Sequence, residues 1–277
     1  QSVLEKGVEQ SVLPMALAGL AFGLGAASKW TGLYAGAGLA VLYFGVLWQR
    51  AKQRPPRLKQ EVATAFCGGI VFFVALPLII YFASYIPYFW REGGFSLSEW
   101  WQCQVSMYRY HSGLEATHPY ESRWYTWPFS ARPVWYYLAS GLPEGLRGTI
   151  AALGNLPVWL AALGGLGWAF WRQLSGKGSG ATGALSVLFL SQFLPWVLVS
   201  RCTFLYHYFP SLWFAVAALA VAAAHFHERR PVPVKWLCIG LAAAAGVFFV
   251  CYYPVISGLP VAEAWVNALH ILPSWMF

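Results

Sequence analysis

The sequence contains no aspartate, so each of its 10 acidic residues is a glutamate. Charged residues of both signs make up only 10% of the chain, whereas soluble domains carry about a quarter. A soluble chain of 277 residues could not cover its surface with so few charges. Phosphate-binding glycine loops, GxSxG and HExxH motifs, and the CxxC spacing of zinc sites are also absent. These absences argue against a soluble enzyme built on those motifs, and we expect neither a metal nor a cofactor.

Apolar and aromatic residues are abundant instead. Hydrophobic residues make up 58% of the chain, with 16 Trp, 15 Tyr and 19 Phe, which excludes a disordered protein. Several apolar runs approach the roughly 20 residues that a membrane-spanning helix needs. Seven such runs cover residues 12–27, 31–48, 62–90, 149–171, 183–200, 203–224 and 236–256. The sequence therefore predicts an all-α polytopic membrane protein with about seven transmembrane helices.

The charges of the loops predict an orientation. Arginine and lysine concentrate in the short loops 49–61, 172–182 and 225–235, which the positive-inside rule places in the cytoplasm. With seven spans, the N-terminus is then cytoplasmic and the C-terminus lies outside. Because the basic residues sit in membrane-flanking loops, the net charge of +8 does not indicate a nucleic-acid partner.

Four regions follow from this arrangement. Residues 1–90 hold three transmembrane helices with the cytoplasmic basic loop 49–61, and residues 91–148 form an outer loop with interfacial helices. Residues 149–256 hold four transmembrane helices, and residues 257–277 form an outer tail. The outer loop is rich in Trp and Tyr, which favour the membrane interface. In the first span Gly19 and Gly23, and in the second Gly36, would allow close approach between helices.

Three stretches at the predicted outer side place charges among apolar residues. In ASKWTGLY, Lys29 lies at the junction of the first two spans, where it either snorkels to headgroups or faces a phosphate. HPYESRWYTWPFSARPVWYY contains Arg132, whose fork suits phosphate oxygens, among aromatic faces that suit sugars and isoprenoid chains. The alternative for this second stretch is an interfacial belt with its charges in water. In SRCTFLYHYFP, Arg201 either binds an anion or caps a helix C-terminus.

These stretches carry a resemblance to a known family. LAFGLGAASKWTGLYAGAGLA, HPYESRWYTWPFSARPVWYY and FLPWVLVSRCTFLYHYFPSLWF, in that order, resemble the protein O-mannosyltransferases of glycosyltransferase family 39, in the bacterial phospholipid-carrier-dependent branch. The resemblance covers only the C-terminal portion of the family and implies a GT-C-like helical bundle. The outer loop has no room for the MIR domain of eukaryotic relatives, which implies a bacterial plasma membrane.

The resemblance also implies a reaction and a set of site residues. Mannose would pass from a polyprenyl-phosphate donor in the membrane lipid to a Ser or Thr hydroxyl of a translocated protein. Near the donor phosphate or reaction chamber the resemblance places Lys29, Arg132, Arg201 and His207. At the outer mouth it places His118, Tyr120, Glu121, Trp124 and Trp127.

The resemblance does not supply a catalytic base within this chain. In the family an acidic pair lies in the first outer loop near the N-terminus, and that loop is not in this sequence. The lack of aspartate agrees with its absence, so we expect the base in a missing N-terminal segment joined to these helices. Glu121 is the substitute within the chain. Two other functions stay open: a noncatalytic membrane subunit that binds a lipid-linked sugar or a partner enzyme, and a transporter of lipid-linked intermediates.

Overall fold

A computed structural model of the protein describes residues 3, 7–53, 55–91, 93–94 and 96–277. The chain divides into two compact units, Gln1–Leu114 and Glu115–Phe277. The helices of the first unit are α1 (Val12–Ser28), α2 (Leu33–Lys52), α3 (Leu58–Ile70), α4 (Leu76–Ser84), α5 (Ile86–Arg91) and α6 (Leu97–Ser112). A π-helical turn, Val71–Ala75, joins α3 to α4, and 3-10 turns cover Glu9–Ser11 and Trp30–Gly32.

The second unit combines helices with short strands. Its helices are α7 (Leu156–Leu174), α8 (Gly180–Phe193), α9 (Phe209–His227), α10 (Pro231–Ser257) and α11 (Glu263–Ala268). Its strands are β1 (Val134–Leu138), β2 (Leu146–Arg147), β3 (Thr149–Ala152) and β4 (Val261–Ala262). Three 3-10 turns cover Trp124–Phe129, Leu194–Leu198 and Leu205–Tyr208.

Six helical segments in the described part of the chain are long and apolar enough to cross a membrane. They are Glu9–Ser28, Trp30–Lys52, Leu58–Arg91, Gly180–Leu198, Leu205–His227 and Pro231–Ser257. The prediction of an all-α polytopic membrane protein is therefore confirmed. Helix α7 has 19 residues but is not among the six, because its glycines and the polar Arg172 and Gln173 lower its mean hydropathy.

The fourth span predicted from the sequence, residues 149–171, starts before the helix does. Its first residues, Thr149–Ala152, form β3, which pairs antiparallel with β1. Helix α7 begins only at Leu156, where the Asn155 side chain accepts a hydrogen bond from the backbone N–H of Val158 at 3.4 Å. Asparagine at the N-cap and proline in the first turn are ordinary start signals for a helix. The prediction of a helix from residue 149 is wrong by about two turns.

The outer loop and the tail also differ from the prediction of interfacial helices alone. The loop includes helix α6 and the turn Trp124–Phe129, but it also forms β1 and β2. In the tail, β4 pairs with β2, and the last residues turn back into the apolar core. Trp275 and Phe277 are each only 1% exposed there. The tail is thus part of the packing of the second unit.

Two glycines of α1 set the packing of the first unit. A Cβ at Gly19 would collide with the carbonyl oxygen of Phe72, and one at Gly23 would lie 2.9 Å from the Pro77 Cα. Only a residue without a side chain lets two backbones approach this closely. The prediction of close helix approach at these positions is confirmed. Gly36 instead faces the ring of Phe22.

In the second unit, α7 packs lengthwise against α9. A Cβ at Gly165 of α7 would collide with the Cα of Leu219 in α9. The Asn155 amide at the start of α7 donates a hydrogen bond to the Ala245 carbonyl of α10 at 2.9 Å. Above α7, the buried Ser130 hydroxyl accepts a hydrogen bond from the Gly154 N–H at 3.0 Å. These contacts fix the 118–137 stretch to the helices that carry it.

Candidate functional site

The second and third stretches selected from the sequence meet at one end of the second unit. The backbone N–H of Ser122 donates a hydrogen bond to the Thr203 carbonyl at 2.8 Å. In return the Thr203 hydroxyl donates to the Ser122 carbonyl at 2.8 Å. Because the two residues are 81 positions apart, this pair of bonds joins segments that the sequence alone leaves separate. We call residues 118–137 and 200–208 together the outer site.

Trp127 lies at the centre of the outer site and is completely buried. Its indole N–H contacts the carbonyl and the hydroxyl oxygens of Ser122 at 3.2 and 3.0 Å. One face of its ring stacks on His207 at 5.9 Å between centroids, and Trp196 packs edge-on at 5.5 Å. The resemblance places Trp127 at the outer mouth, whereas in the structure its side chain is buried beneath the surface and supports the turn.

His207 is also buried, with 5% of its surface exposed. The centroid of its ring lies 4.2 Å from that of Trp196 and 4.5 Å from that of Tyr206. Its Nδ1 is 3.0 Å from both the backbone nitrogen and the carbonyl oxygen of Phe204. The imidazole therefore stabilises the 3-10 turn Leu205–Tyr208 from within.

The remaining aromatic candidates pack against rings of the third stretch, of β1 and of α8. His118 is exposed, and its ring packs edge-on against Phe204 at 5.1 Å between centroids. The Tyr120 ring lies perpendicular to Trp135 at 6.1 Å, and its backbone N–H donates to Nδ1 of His118 at 3.2 Å. Trp124 similarly packs edge-on against Phe193. These contacts fix the positions of aromatic side chains that reach the surface.

Two cations lie among these rings. Arg132 is half-buried, and its Nη1 donates a hydrogen bond to the Glu121 carbonyl at 3.3 Å. A guanidinium carries five N–H donors, and this bond uses one of them. Arg201 is half-buried too, and its charge acts on Tyr206. An arginine held by a neutral carbonyl keeps its full charge, so the outer site offers positive charge beside aromatic faces.

Two tyrosines at the outer site were not selected from the sequence. Desolvation raises the pKa of the Tyr136 hydroxyl above its ordinary value, and nearby Tyr206 raises this pKa further. The Tyr136 hydroxyl therefore stays protonated at neutral pH and can donate a hydrogen bond. The joining pair Ser122 and Thr203 was also missed. The tyrosines lie in aromatic runs, and Ser122 and Thr203 are hydroxyl residues of their stretches. Neither pattern is specific enough to predict a site.

Lys29 belongs to the first unit. It ends α1, is exposed, and its backbone N–H donates a hydrogen bond to the Gly25 carbonyl at 3.1 Å. Its suggested role near a phosphate stays a prediction. Among the described residues, no group of three or more His, Cys or Glu side chains is placed to hold a metal ion.

Comparison with known proteins gives a family match over most of the chain. Residues 96–275 match the family described as the C-terminal four TMM region of protein-O-mannosyltransferase. The polyprenol-phosphate-mannose–protein mannosyltransferase of Mycolicibacterium smegmatis is 28% identical over 93% of this chain and 57% of the relative. The protein of the same name from Mycobacterium tuberculosis is 25% identical over 93% of this chain and 56% of the relative. The chain thus spans little more than half the length of these relatives.

A solved structure gives a similar fold. It is the protein O-mannosyltransferase Pmt1–Pmt2 complex of Saccharomyces cerevisiae, bound to the sugar donor. The match has a TM-score of 0.55 and 23% sequence identity, and it covers 66% of this chain and 27% of the yeast chain. The helical architecture described above is therefore shared with that protein.

Proposed function

The chain belongs to the protein O-mannosyltransferase family, and from this membership we propose that it is the C-terminal part of a membrane glycosyltransferase. The proposed reaction moves mannose from a polyprenyl-phosphate donor to Ser or Thr hydroxyls of translocated proteins. The mycobacterial relatives are named for that donor and for protein as the acceptor. Because this chain spans 57% of the smegmatis relative, we expect the reaction to need the remaining length as well.

The observation that carries the proposal is the junction of the two stretches at Ser122 and Thr203. It joins the segment of Arg132 to the segment of Arg201, both half-buried among aromatic side chains. Transfer of the sugar leaves a lipid phosphate that gains negative charge, and preorganised cations stabilise such charge most strongly. Arginine forks also bind phosphate oxygens in a fixed orientation. We assign Arg132 and Arg201 to the donor phosphate.

The other candidates take supporting roles in this proposal. His118, Tyr120 and Trp124 form an aromatic surface for the sugar or the isoprenoid chain, while Trp127 and His207 hold that surface from below. The acceptor hydroxyl is a poor nucleophile, so a carboxylate base is required near it. This base comes either from the length of the relatives that this chain does not span, or from Glu121. Lys29 lies in the first unit, and its role near a phosphate stays a prediction from the sequence.

We also propose that α7 crosses the membrane. The matched family region is described as having four membrane helices, and three apolar segments long enough to cross a membrane lie in it: Gly180–Leu198, Leu205–His227 and Pro231–Ser257. Helix α7 would supply the fourth. With α7 included, the count returns to seven spans, with a cytoplasmic N-terminus and an outer C-terminus. The loop charges support this orientation, and the mycobacterial relatives support a bacterial plasma membrane.

The test is a transfer assay on the complete natural protein that contains this chain. Membranes holding it are incubated with radiolabelled polyprenyl-phosphate-mannose and a Ser/Thr-rich peptide. We expect the peptide to become labelled, and we expect β-elimination to release that label from it. Removing one group that stabilises developing charge typically costs about 100- to 1,000-fold in rate, so Arg201→Ala should lower transfer by a similar factor. Arg123→Ala, an exposed arginine of the same stretch, is the matched control.

The outcomes separate the competing functions. Donor binding without transfer by the wild-type protein would favour a noncatalytic subunit that binds a lipid-linked sugar. Movement of the intact lipid-linked sugar between leaflets would favour a transporter. Normal transfer by a well-expressed Arg201→Ala variant would remove Arg201 from the donor phosphate.

A further inference from the structure

The opposite end of the second unit carries a cluster of basic side chains around one indole. The Arg172 guanidinium lies 5.8 Å from the centroid of the Trp168 ring, and the His225 ring lies 5.1 Å from the same indole. The Nη1 of Arg229 is 2.6 Å from Nε2 of His225. We call Trp168, Arg172, His225 and Arg229 the inner cluster.

The inner cluster forms because two helices end side by side. Arg172 lies in the last turn of α7, His225 lies in the last turn of α9, and Arg229 follows α9 directly. A helix C-terminus attracts cations, which accounts for basic residues at both ends. This attraction does not require that the cations converge on one half-buried aromatic side chain. Their convergence therefore needs a separate explanation.

The positive charge of the inner cluster is not neutralised within the described chain. The Nε of Arg172 is buried and has no hydrogen-bond partner in the described part of the protein. Across the described residues the ion pairs are Arg50–Glu61 and Arg147–Glu263, and neither involves this cluster. The charge of Glu228 acts on His225 but forms no ion pair with either arginine. The cluster thus has donors and charge for an anion that the protein does not supply.

The donors also point to a particular anion. Nε2 of His225 accepts from the Arg229 guanidinium, so the neutral imidazole carries its proton on Nδ1 and offers a second donor. Arginine forks match the oxygens of phosphate, and basic pockets between membrane helices on the cytoplasmic side bind lipid phosphates. The loop charges predict that this end is cytoplasmic. We propose that the inner cluster binds a phosphate group, carried by the headgroup of an anionic lipid. This site is separate from the mannosyl-transfer reaction.

The test measures lipid retained by the full chain in a neutral detergent. Native mass spectrometry gives the fraction of protein that carries phosphatidylglycerol, and phosphatidylcholine in a parallel sample. We expect clear retention of phosphatidylglycerol and at least tenfold weaker retention of the zwitterionic lipid. Hydrogen bonds to a charged group contribute about 1.5–3 kcal/mol each, so Arg172→Gln with Arg229→Gln should weaken retention at least about a hundredfold.

The matched control is Arg230→Gln with Lys235→Gln, which removes the same charge from the N-cap and first turns of α10. It should lose only the general attraction of cations for an anionic surface, about 1 kcal/mol per residue, and should retain phosphatidylglycerol at least about fivefold better than the first double variant. Equal losses in the two double variants, or equal retention of the two lipids, would overturn the proposal. If the first double variant does not fold, Arg229→Gln alone changes an exposed side chain and should weaken retention about tenfold or more. Displacement of the lipid by millimolar inorganic phosphate would support a phosphate-binding site and would identify free phosphate, and not a lipid headgroup, as its ligand.

Discussion

The two ends of the second unit hold their cations in different ways. At the outer site, Arg132 bonds a backbone carbonyl, and nearby Arg147 pairs with Glu263 at 3.8 Å. At the inner cluster, Arg172 and Arg229 contact an indole and an imidazole, and no described carboxylate pairs with them. The cations at and near the outer site are therefore positioned by a backbone carbonyl and a carboxylate, whereas the cations of the inner cluster are positioned by aromatic rings.

This difference has a consequence for how each end responds to substitution. Buried hydrogen bonds and aromatic packing at the outer site contribute to folding, so their loss should appear first as lost stability. At the inner cluster Arg229 is exposed and Arg172 is half-buried, and neither forms an ion pair with a described carboxylate, so their loss should appear mainly as lost binding.

The largest effect is expected for Trp127→Ala. Truncation of a completely buried tryptophan costs about 3–5 kcal/mol, because it leaves a cavity and removes hydrogen bonds to Ser122. Thermal unfolding in detergent should show a large drop in melting temperature. The matched control at the other end is Trp171→Ala, whose indole is 54% exposed and whose loss should cost less than about 1 kcal/mol. Similar drops for the two variants would contradict the contrast.

Gly165→Ala should destabilise both ends together. The added Cβ would collide with the backbone of Leu219, and forcing α7 away from α9 costs up to about 3 kcal/mol. The melting temperature and the retention of phosphatidylglycerol should both fall. Gly164→Ala is the control, since a Cβ there meets nothing within 4 Å, and it should leave both measurements near wild type. A neutral Gly165→Ala would mean that the two helices do not pack as described.

Ser130→Ala should affect the outer site alone. Its hydroxyl is the acceptor for the Gly154 N–H, and an unsatisfied buried donor costs about 1–3 kcal/mol. Its backbone φ of 48° also disfavours alanine. Melting temperature should fall while phosphatidylglycerol retention stays unchanged. Ser140→Ala, at an exposed position, provides the comparison and should be neutral.

The smallest effect is expected for Glu263→Gln. The carboxylate is 55% exposed and lies 3.8 Å from the guanidinium of Arg147, so the pair contributes between about 0 and 1 kcal/mol. The melting temperature should change by a degree or two, and the change should shrink in high salt. A large, salt-independent loss would show that this pair, and not the neutral contacts, holds the outer site.

The sequence predicts the membrane helices well because the signal is local. An apolar run long enough to cross a membrane is visible without knowing what it contacts. The close approach at Gly19 and Gly23 follows in the same way from small residues on one face. The local sequence also predicts the start of α7, because Asn155 and Pro157 form a helix-start pattern. The prediction used hydropathy alone and therefore extended the helix back to residue 149.

The strands and the interior of the outer site were not predictable in this way. β1 pairs with β3 across an intervening loop, and its aromatic run reads equally well as an interfacial belt. Burial of Trp127 and His207 depends on contacts with Trp196, which lies far from Trp127 in the sequence. Composition identifies aromatic and basic residues at this site, but only tertiary packing decides which of them reach the surface.

The most direct measurement of the central claim is the affinity of the complete natural protein for polyprenyl phosphate without its sugar. If Arg132 and Arg201 bind the donor phosphate, the sugar-free lipid should bind, and Arg132→Gln or Arg201→Gln should each weaken it about tenfold or more. Arg123→Gln should bind as the wild type does. Unchanged affinity in both folded variants would contradict the assignment of the outer site to the phosphate of a lipid-linked donor.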